Sequence, residues 1–285
     1  MRQRTYGGVR GRNCKVPPTR FESLDLDMVI DWVRSQNYKV TRPFVQCAFY
    51  ATANPHANLL KAAIIDVETT GISYLNDKII ELGIVIVEYC PETGQVYRVL
   101  ETYNELEDPG MPIPTDATKV HGITDTMVNG KRIIDAEIEK MLEEVSLVVA
   151  HNAGFDRVFV EARLPFFKEK AWACSYTQMP WKNEGFNAFS LEFLAYKFGF
   201  HFNGHRAAMD CHALLEILQS ELPASKGRGL KALLESAYTQ DLKIYALSTP
   251  FESKDKLKGR GYRWDAERKT WYTTVTNADL GLVCW

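Results

Sequence analysis

The chain has 285 residues, 46% hydrophobic and 25% charged, with net charge -2 and a pI near 6.3. Such a composition fills the core of one domain of roughly 150 to 200 residues plus smaller appendages, and overall charge argues neither for nor against nucleic acid. No run approaches the about 18 apolar residues of a membrane span. Residues 1–20 lack the apolar segment of a signal peptide. The six cysteines form no C-x-x-C pair, which argues against structural zinc or a disulfide framework and fits a reducing, cytoplasmic setting.

In chain order, residues 1–20 are basic (Arg2, Arg4, Arg10, Arg12, Lys15, Arg20) and carry no acid, which suits a flexible arm, either phosphate-binding or merely a disordered terminus. A helix is expected over 24–34, capped by Ser23, then a short strand over 38–44 and a polar linker at 54–58. From Ala62 the pattern becomes α/β. The apolar run Ala62–Ile65 reads as a buried strand, 78–89 as a second, and 95–106 as a third that returns after the turn Pro91-Glu92-Thr93-Gly94. A short helix is expected over 114–120 and an amphipathic helix over 134–145. A strand over 146–150 follows, then a helix opened by Asp156, and a fifth strand over 172–175. Ser190 caps one more helix, and Asp210 starts the last long one. Pro223–Gly229 is the clearest linker. Beyond it come a helix over 230–237, a strand over 242–247, a basic helical turn over 254–258 and an aromatic hairpin over 261–275. Strands alternating with helices place helices on both faces of an α/β sheet. The expected domains are 1–59, an arm with a helix and strand; 60–222, the core; and 223–285, a linker with a small α+β module.

The first strand ends in Asp66-Val67-Glu68-Thr69-Thr70-Gly71. Alternate residues of a strand share a face, so Asp66 and Glu68 project into one volume. Two carboxylates there repel and are costly to desolvate without a cation between them, and oxygen ligands suit Mg²⁺ or Mn²⁺. Asp156 and Asp210 also fall at strand-to-helix junctions, which converge on one sheet edge. Four such acids would hold two divalent cations, one generating hydroxide and one stabilising the leaving oxygen of an in-line displacement at phosphorus. His205, five residues before Asp210, has the near-neutral reference pKa of a general base.

These three segments, Asp66–Gly71, His151-Asn152-Ala153-Gly154-Phe155-Asp156 and His205-Arg206-Ala207-Ala208-Met209-Asp210, resemble the motifs of the DnaQ-like DEDDh exonucleases, in their order and spacing. His121-Gly122-Ile123-Thr124 is similar to a segment of proofreading-type members. The flanks, with Tyr38-Lys39-Val40 ahead of the core and a basic, aromatic module behind it, resemble bacterial DNA polymerase III epsilon-like exonucleases. The resemblance covers about residues 60–222. It implies an RNase H-like fold with a mixed five-stranded sheet and 3′-to-5′ release of nucleoside 5′-monophosphates. It also implies Asp66, Glu68, Asp156 and Asp210 as metal ligands, His205 as general base, and Thr69, Thr70, His121, Asn152 and Phe155 as contacts to the terminal nucleotide. Phe155 has core packing as its alternative, and His151 reads as a structural hydrogen-bonding residue.

The expected substrate is DNA with single-stranded or frayed 3′ ends, RNA being the alternative. A binding module without activity, associated with nucleic acid or a polymerase, is the reading from another class. In the C-terminal module, Lys254, Lys258, Arg260, Arg263 and Trp264 can grip a single strand by stacking and phosphate contacts. Alternatively, Trp264 and Trp271 are the core of a small fold.

Overall fold

The computed structural model describes residues 25–52, 57–238 and 241–276. The basic arm and most of the 54–58 linker lie outside them. The chain divides into two compact units, 1–41 and 42–285. In the first, α1 (Leu26–Ser35) starts at Asp25, whose carboxylate accepts the Asp27 amide at 3.0 Å and so satisfies one of the helix's unpaired donors.

The second unit runs through β1 (Arg42–Pro43), β2 (Leu60–Thr69), β3 (Ile79–Tyr89), β4 (Val96–Leu106), α2 (Thr115–His121), α3 (Asp125–Val128) and α4 (Asp135–Met141). It continues with β5 (Val145–Ala150), α5 (Ala153–Arg163), a 3₁₀ turn at Pro165–Glu169, β6 (Trp172–Cys174), α6 (Leu191–Phe198), β7 (Phe200–His201) and α7 (Ala207–Gln219). It ends with α8 (Gly229–Tyr238), β8 (Asp241–Ala246), a 3₁₀ turn at Phe251–Ser253, α9 (Lys254–Gly259), β9 (Arg263–Asp265) and β10 (Thr270–Thr276). Among the described residues no helix is long and apolar enough to cross a membrane.

The expected mixed five-stranded sheet is present, in the order β4-β3-β2-β5-β6. β2, β3 and β4 form an antiparallel meander, while β5 and β6 run parallel to β2. Alternation along β2 sends Ala62 and Ile64 to one core and Ala63, Ile65 and Val67 to the other. The first core is completed by Leu191 and Leu194 of α6, Leu214, Leu215 and Leu218 of α7, and Leu230, Leu233 and Leu234 of α8. The second takes Ile138 of α4 and Phe159 and Val160 of α5. Asp66 and Glu68 continue the Ala62–Ile64 side of the strand, so they face the layer that contains α7.

Several elements differ from the sequence expectation, each for a physical reason. The helix expected over 134–145 stops at Met141, because Val145 is taken into the sheet opposite Lys61. The strand expected over 38–44 shrinks to Arg42–Pro43, which pairs in parallel with Phe200–His201, and Pro43 has no N–H to extend a ladder. The fifth helix opens at Ala153 rather than at Asp156: Asn152 takes the left-handed conformation (φ 65°), and Asp156 sits in the first turn. Ser190 caps α6 as expected, accepting from the Phe193 amide at 3.3 Å.

The 223–229 segment is a closed corner. The Leu222 amide donates to the Gly227 carbonyl at 2.7 Å, and the buried Glu184 carboxylate accepts the amides of Ala224 and Ser225 at 2.8 and 3.2 Å. α8, which follows this corner, buries its apolar face in the first core. Beyond it, β8, β10 and β9 form a separate three-stranded antiparallel sheet.

Candidate active site

Asp66 and Glu68 leave β2 two residues apart, where the β2–β3 register shifts between Glu68 and Thr69. Bulges of this kind bend a strand and re-aim its last side chains. Opposite Asp66 stands Gly83 of β3. A Cβ on Gly83 would lie 2.4 Å from the Ala207 carbonyl carbon and the Ala208 nitrogen. Only glycine lets the start of α7 settle onto the sheet here, and that approach brings Asp210 down to the strand. As a result, carboxylate oxygens of Asp66, Glu68 and Asp210 lie within 4.8 Å of one another.

Asp156 joins them from α5, with its Oδ1 accepting the Val67 amide at 3.1 Å. One cavity of about 460 Å³ is lined by Asp66, Glu68, Asp156, Asp210, His205, Asn152 and Phe155, together with His151, Tyr176, Ser190, Leu191 and Glu192. Seven of the residues singled out from the sequence therefore share one cleft.

Burial pushes the Asp66 carboxyl well above the usual range, and the charges of Asp156, Asp210 and Glu68 add to the effect. Glu68 is pushed up to about 8 by burial and by Asp210, Glu81 and Asp156. Burial raises Asp156 to about 7 and Asp210 to about 6, against the backbone amides each accepts. Carboxyls whose pKa values are raised by burial and by their neighbours' charges become carboxylates more readily when positive charge enters. The all-oxygen donor set and the closeness of three of its members fit a hard divalent cation.

His205 occupies the left-handed region (φ 64°) directly before α7. Its side chain is half exposed, with Nε2 3.7 Å from a Glu192 carboxylate oxygen. The loop that carries it is tied down on both sides. The Arg206 amide donates to Asp210 Oδ2 at 2.9 Å, and the Arg206 guanidinium grips Glu81 of β3 through Nε at 3.1 Å and Nη2 at 2.8 Å. Glu81 is fully buried and also accepts the Ala207 amide at 3.1 Å. It stands directly across from Glu68, a pairing of like charges that Arg206 relieves.

The remaining sequence-predicted contacts divide. Asn152 is exposed at the mouth of the cleft, and Phe155 lines it while packing on Phe159 with ring centroids 5.0 Å apart. Thr69 and Thr70 do not line the cleft. Thr69 donates to the Gly71 carbonyl at 2.6 Å, Thr70 donates to Asp77 at 3.2 Å, and both are buried. Their hydroxyls are committed to the turn after β2. His121 is buried as well: its Nδ1 accepts the Ile123 amide at 3.0 Å, its Nε2 meets no hydrogen-bond partner of ordinary geometry among the described residues, and its electrostatic neighbours are Glu81, His205 and the Thr69 backbone. His151 is the expected structural residue. Its Nε2 donates to the Phe189 carbonyl at 2.7 Å, which leaves Nδ1 to accept from Ser175 at 2.8 Å.

Sequence reasoning missed Glu81, Arg206 as its partner, Tyr176 and Glu192. Glu81 carried a usable signal, an acid inside the otherwise apolar run Ile79–Val87. Glu192 carried none, since acids are ordinary in a first helical turn.

The predicted C-terminal residues lie in the three-stranded module. Lys254 and Lys258 are on α9, Arg260 caps its end, and Arg263 and Trp264 are on β9. Among the described residues there, Leu257 and Tyr262 are buried, whereas Trp264 is 51% exposed. Trp264 is thus not the core of this module.

The family model described as Exonuclease matches residues 63–218. Among curated relatives, the DNA polymerase III PolC-type of Clostridium perfringens is 40% identical over 103 residues, covering 35% of this chain and 7% of that protein. Those of Caldanaerobacter subterraneus and Thermotoga petrophila are 29% identical over 178 residues and 28% over 201, covering 60% and 66% of this chain. The chain spans only 12% and 14% of those two proteins.

Two solved structures are similar at low identity. Exonuclease X in complex with 5′ overhanging duplex DNA is 22% identical, with a TM-score of 0.36, covering 60% of this chain and 99% of the other. E. coli Exonuclease I with a dA16 oligonucleotide is 16% identical, with a TM-score of 0.43, covering 56% and 40%. The family match takes in β2 through α7 and with them all four acids and His205 of the cleft; the chain belongs to the exonuclease family.

Proposed function

We propose that the chain is a metal-dependent 3′-to-5′ exonuclease that hydrolyses the terminal phosphodiester bond of DNA, at single-stranded or frayed ends, and releases nucleoside 5′-monophosphates. The observation that carries this reading is the closeness of Asp66, Glu68 and Asp210 in one cleft with Asp156 and His205. Asp66, Glu68, Asp156 and Asp210 would hold two divalent cations, Mg²⁺ or Mn²⁺. When bound, these supply positive charge that favours hydroxide at neutral pH and offsets charge on the leaving oxygen.

The protein's own groups do the rest. His205, on its half-exposed loop, takes the proton of the attacking water at a ring nitrogen, and Glu192 beside Nε2 stabilises the imidazolium that results. Phe155 offers a ring to the terminal sugar or base, and Asn152 offers an amide to the phosphate at the cleft mouth. The Glu81–Arg206 pair fixes the loop between β3 and Asp210, so the base and the last ligand keep one geometry. The PolC-type names of the relatives support DNA as the substrate.

The test is degradation of matched 5′-labelled single strands of DNA and RNA with Mg²⁺, with Mn²⁺ and with chelator, beside His205→Ala. A ladder that shortens from the 3′ end on DNA, and is lost with chelator and in the variant, is the expected result. A ladder on RNA alone would move the substrate to RNA, and intact substrate in every lane would overturn the enzyme reading.

A further inference from the structure

The C-terminal module differs in charge from the catalytic domain. Residues 60–222 carry twenty-five Asp and Glu against fourteen Lys and Arg, whereas residues 241–276 carry eight Lys and Arg against five Asp and Glu. An acidic domain that works on a polyanion repels its substrate at long range, and a basic appendage offsets that repulsion.

The two faces of the module's sheet are unlike. On one, Tyr245 and Tyr272 stand directly across from each other with Arg263 beside them. Their ring faces are already covered, Tyr272 by Lys243 with Nζ 5.1 Å from the centroid and Tyr245 by Arg268 at 4.9 Å. On the other face Trp271 pairs with Trp264, ring centroids 5.5 Å apart and inclined at 67°. There a cavity of about 350 Å³ opens between the two indoles, Thr249, Pro250 and Thr270, and two cations, Lys254 and Lys269. The module buries Leu257 and Tyr262 but leaves half of Trp264 in solvent, so a large apolar ring is kept out of the core and beside an open cavity. An indole edge-on to another, with an ammonium group on either side, suits a flat aromatic ring carrying negative charge next to it.

We propose that this cavity binds an unpaired nucleobase of single-stranded DNA, stacked on Trp264, with Lys254 and Lys269 holding the flanking phosphates. It is a second contact to the strand, made by residues other than those of the acidic cleft. The proposal rests on the reading of the chain as a nuclease only in its choice of nucleic acid.

The test is fluorescence anisotropy of 5′-labelled oligo-dT in chelator, on the full chain. Trp264→Ala should weaken binding about tenfold, the scale of one lost base stack, and Trp264→Phe should restore most of it. Lys254→Gln with Lys269→Gln should flatten the salt dependence of log affinity by about 1.4, since each phosphate contact on a single strand contributes about 0.7. A blunt duplex, whose bases are already stacked, should bind wild type and Trp264→Ala alike. Unchanged affinity and salt slope in these variants would overturn the site, and weakening confined to RNA of the same sequence would overturn the choice of DNA.

The p-nitrophenyl ester of thymidine 5′-monophosphate reports the acidic cleft alone, and Trp264→Ala should hydrolyse it at the wild-type rate. A wild-type chain that cleaves neither ester nor strand, yet binds oligo-dT through Trp264, would sink the exonuclease reading and leave this site standing.

Discussion

The cleft at the end of β2 and the cavity in the C-terminal module handle charge in opposite ways. In the cleft, carboxyls are packed together and largely buried, and their pKa values rise first because burial disfavours their charged forms and then because they repel one another. In the module, the cations are mostly exposed, and two of them lie over tyrosine faces. Buried like charge is tolerated where a ligand of opposite sign completes the site. Exposed cations beside aromatic rings are comfortable in water and attract an anion without requiring one. The first arrangement suits chemistry and the second suits affinity.

The sharpest way to separate the two is to measure turnover and binding together. Asp210→Ala should abolish hydrolysis of both the strand and the ester. His205→Ala should lower turnover on the order of 10³-fold, the usual weight of a positioned general base. Both should leave oligo-dT affinity in chelator within about twofold of wild type. A large loss of affinity in either would merge the two regions into one site and break the comparison.

Stability should divide the same way. Removing Arg206 leaves Glu81 buried without its partner and facing Glu68. Arg206→Met should cost about 2 kcal/mol, below the full value for a buried pair because the guanidinium is 46% exposed. Arg263→Met, on an exposed strand position of the module, should stay within about 0.5 kcal/mol. Chemical denaturation of the two variants checks this, and equal costs would deny the cleft its buried network.

The smallest expected effect is on pH dependence. Raised carboxyl pKa values mean that the folded, metal-free chain holds protons that the unfolded chain has already released. Stability therefore falls as pH rises from the ordinary carboxylate range toward about 8, the value to which Glu68 is pushed. Asp66→Asn should flatten that fall and raise the melting temperature at pH 8 by a few degrees. Mg²⁺ should do the same for wild type, and Trp264→Phe should change neither. A metal-free wild type as stable at pH 8 as at pH 5 would contradict the repulsion assigned to the cleft.

Much of this was legible in the sequence. The period of two puts Asp66 and Glu68 on one face whatever the fold, and Ser190 and the Pro91–Gly94 turn mark ends that the structure places nearby. What misled was local reading where pairing decides: a helix carried through Val145, which belongs to a strand, and a linker at 223–229 that is a closed corner. Thr69 and Thr70, which the resemblance implies as nucleotide contacts, have their hydroxyls engaged in the turn after β2, a local bond pattern that their residue types do not announce.

By itself, the sequence determined the order and chemistry of the motifs, because spacing along a strand or helix fixes which side chains can share a face. Only the tertiary structure decided that Asp210 meets Asp66 and Glu68, that Glu81 is neutralised by Arg206, and that Trp264 faces solvent while Tyr262 does not. Those outcomes depend on how closely separate elements approach. At Gly83, a missing Cβ lets α7 touch the sheet, and that contact is a relation between residues 124 positions apart that no local pattern records.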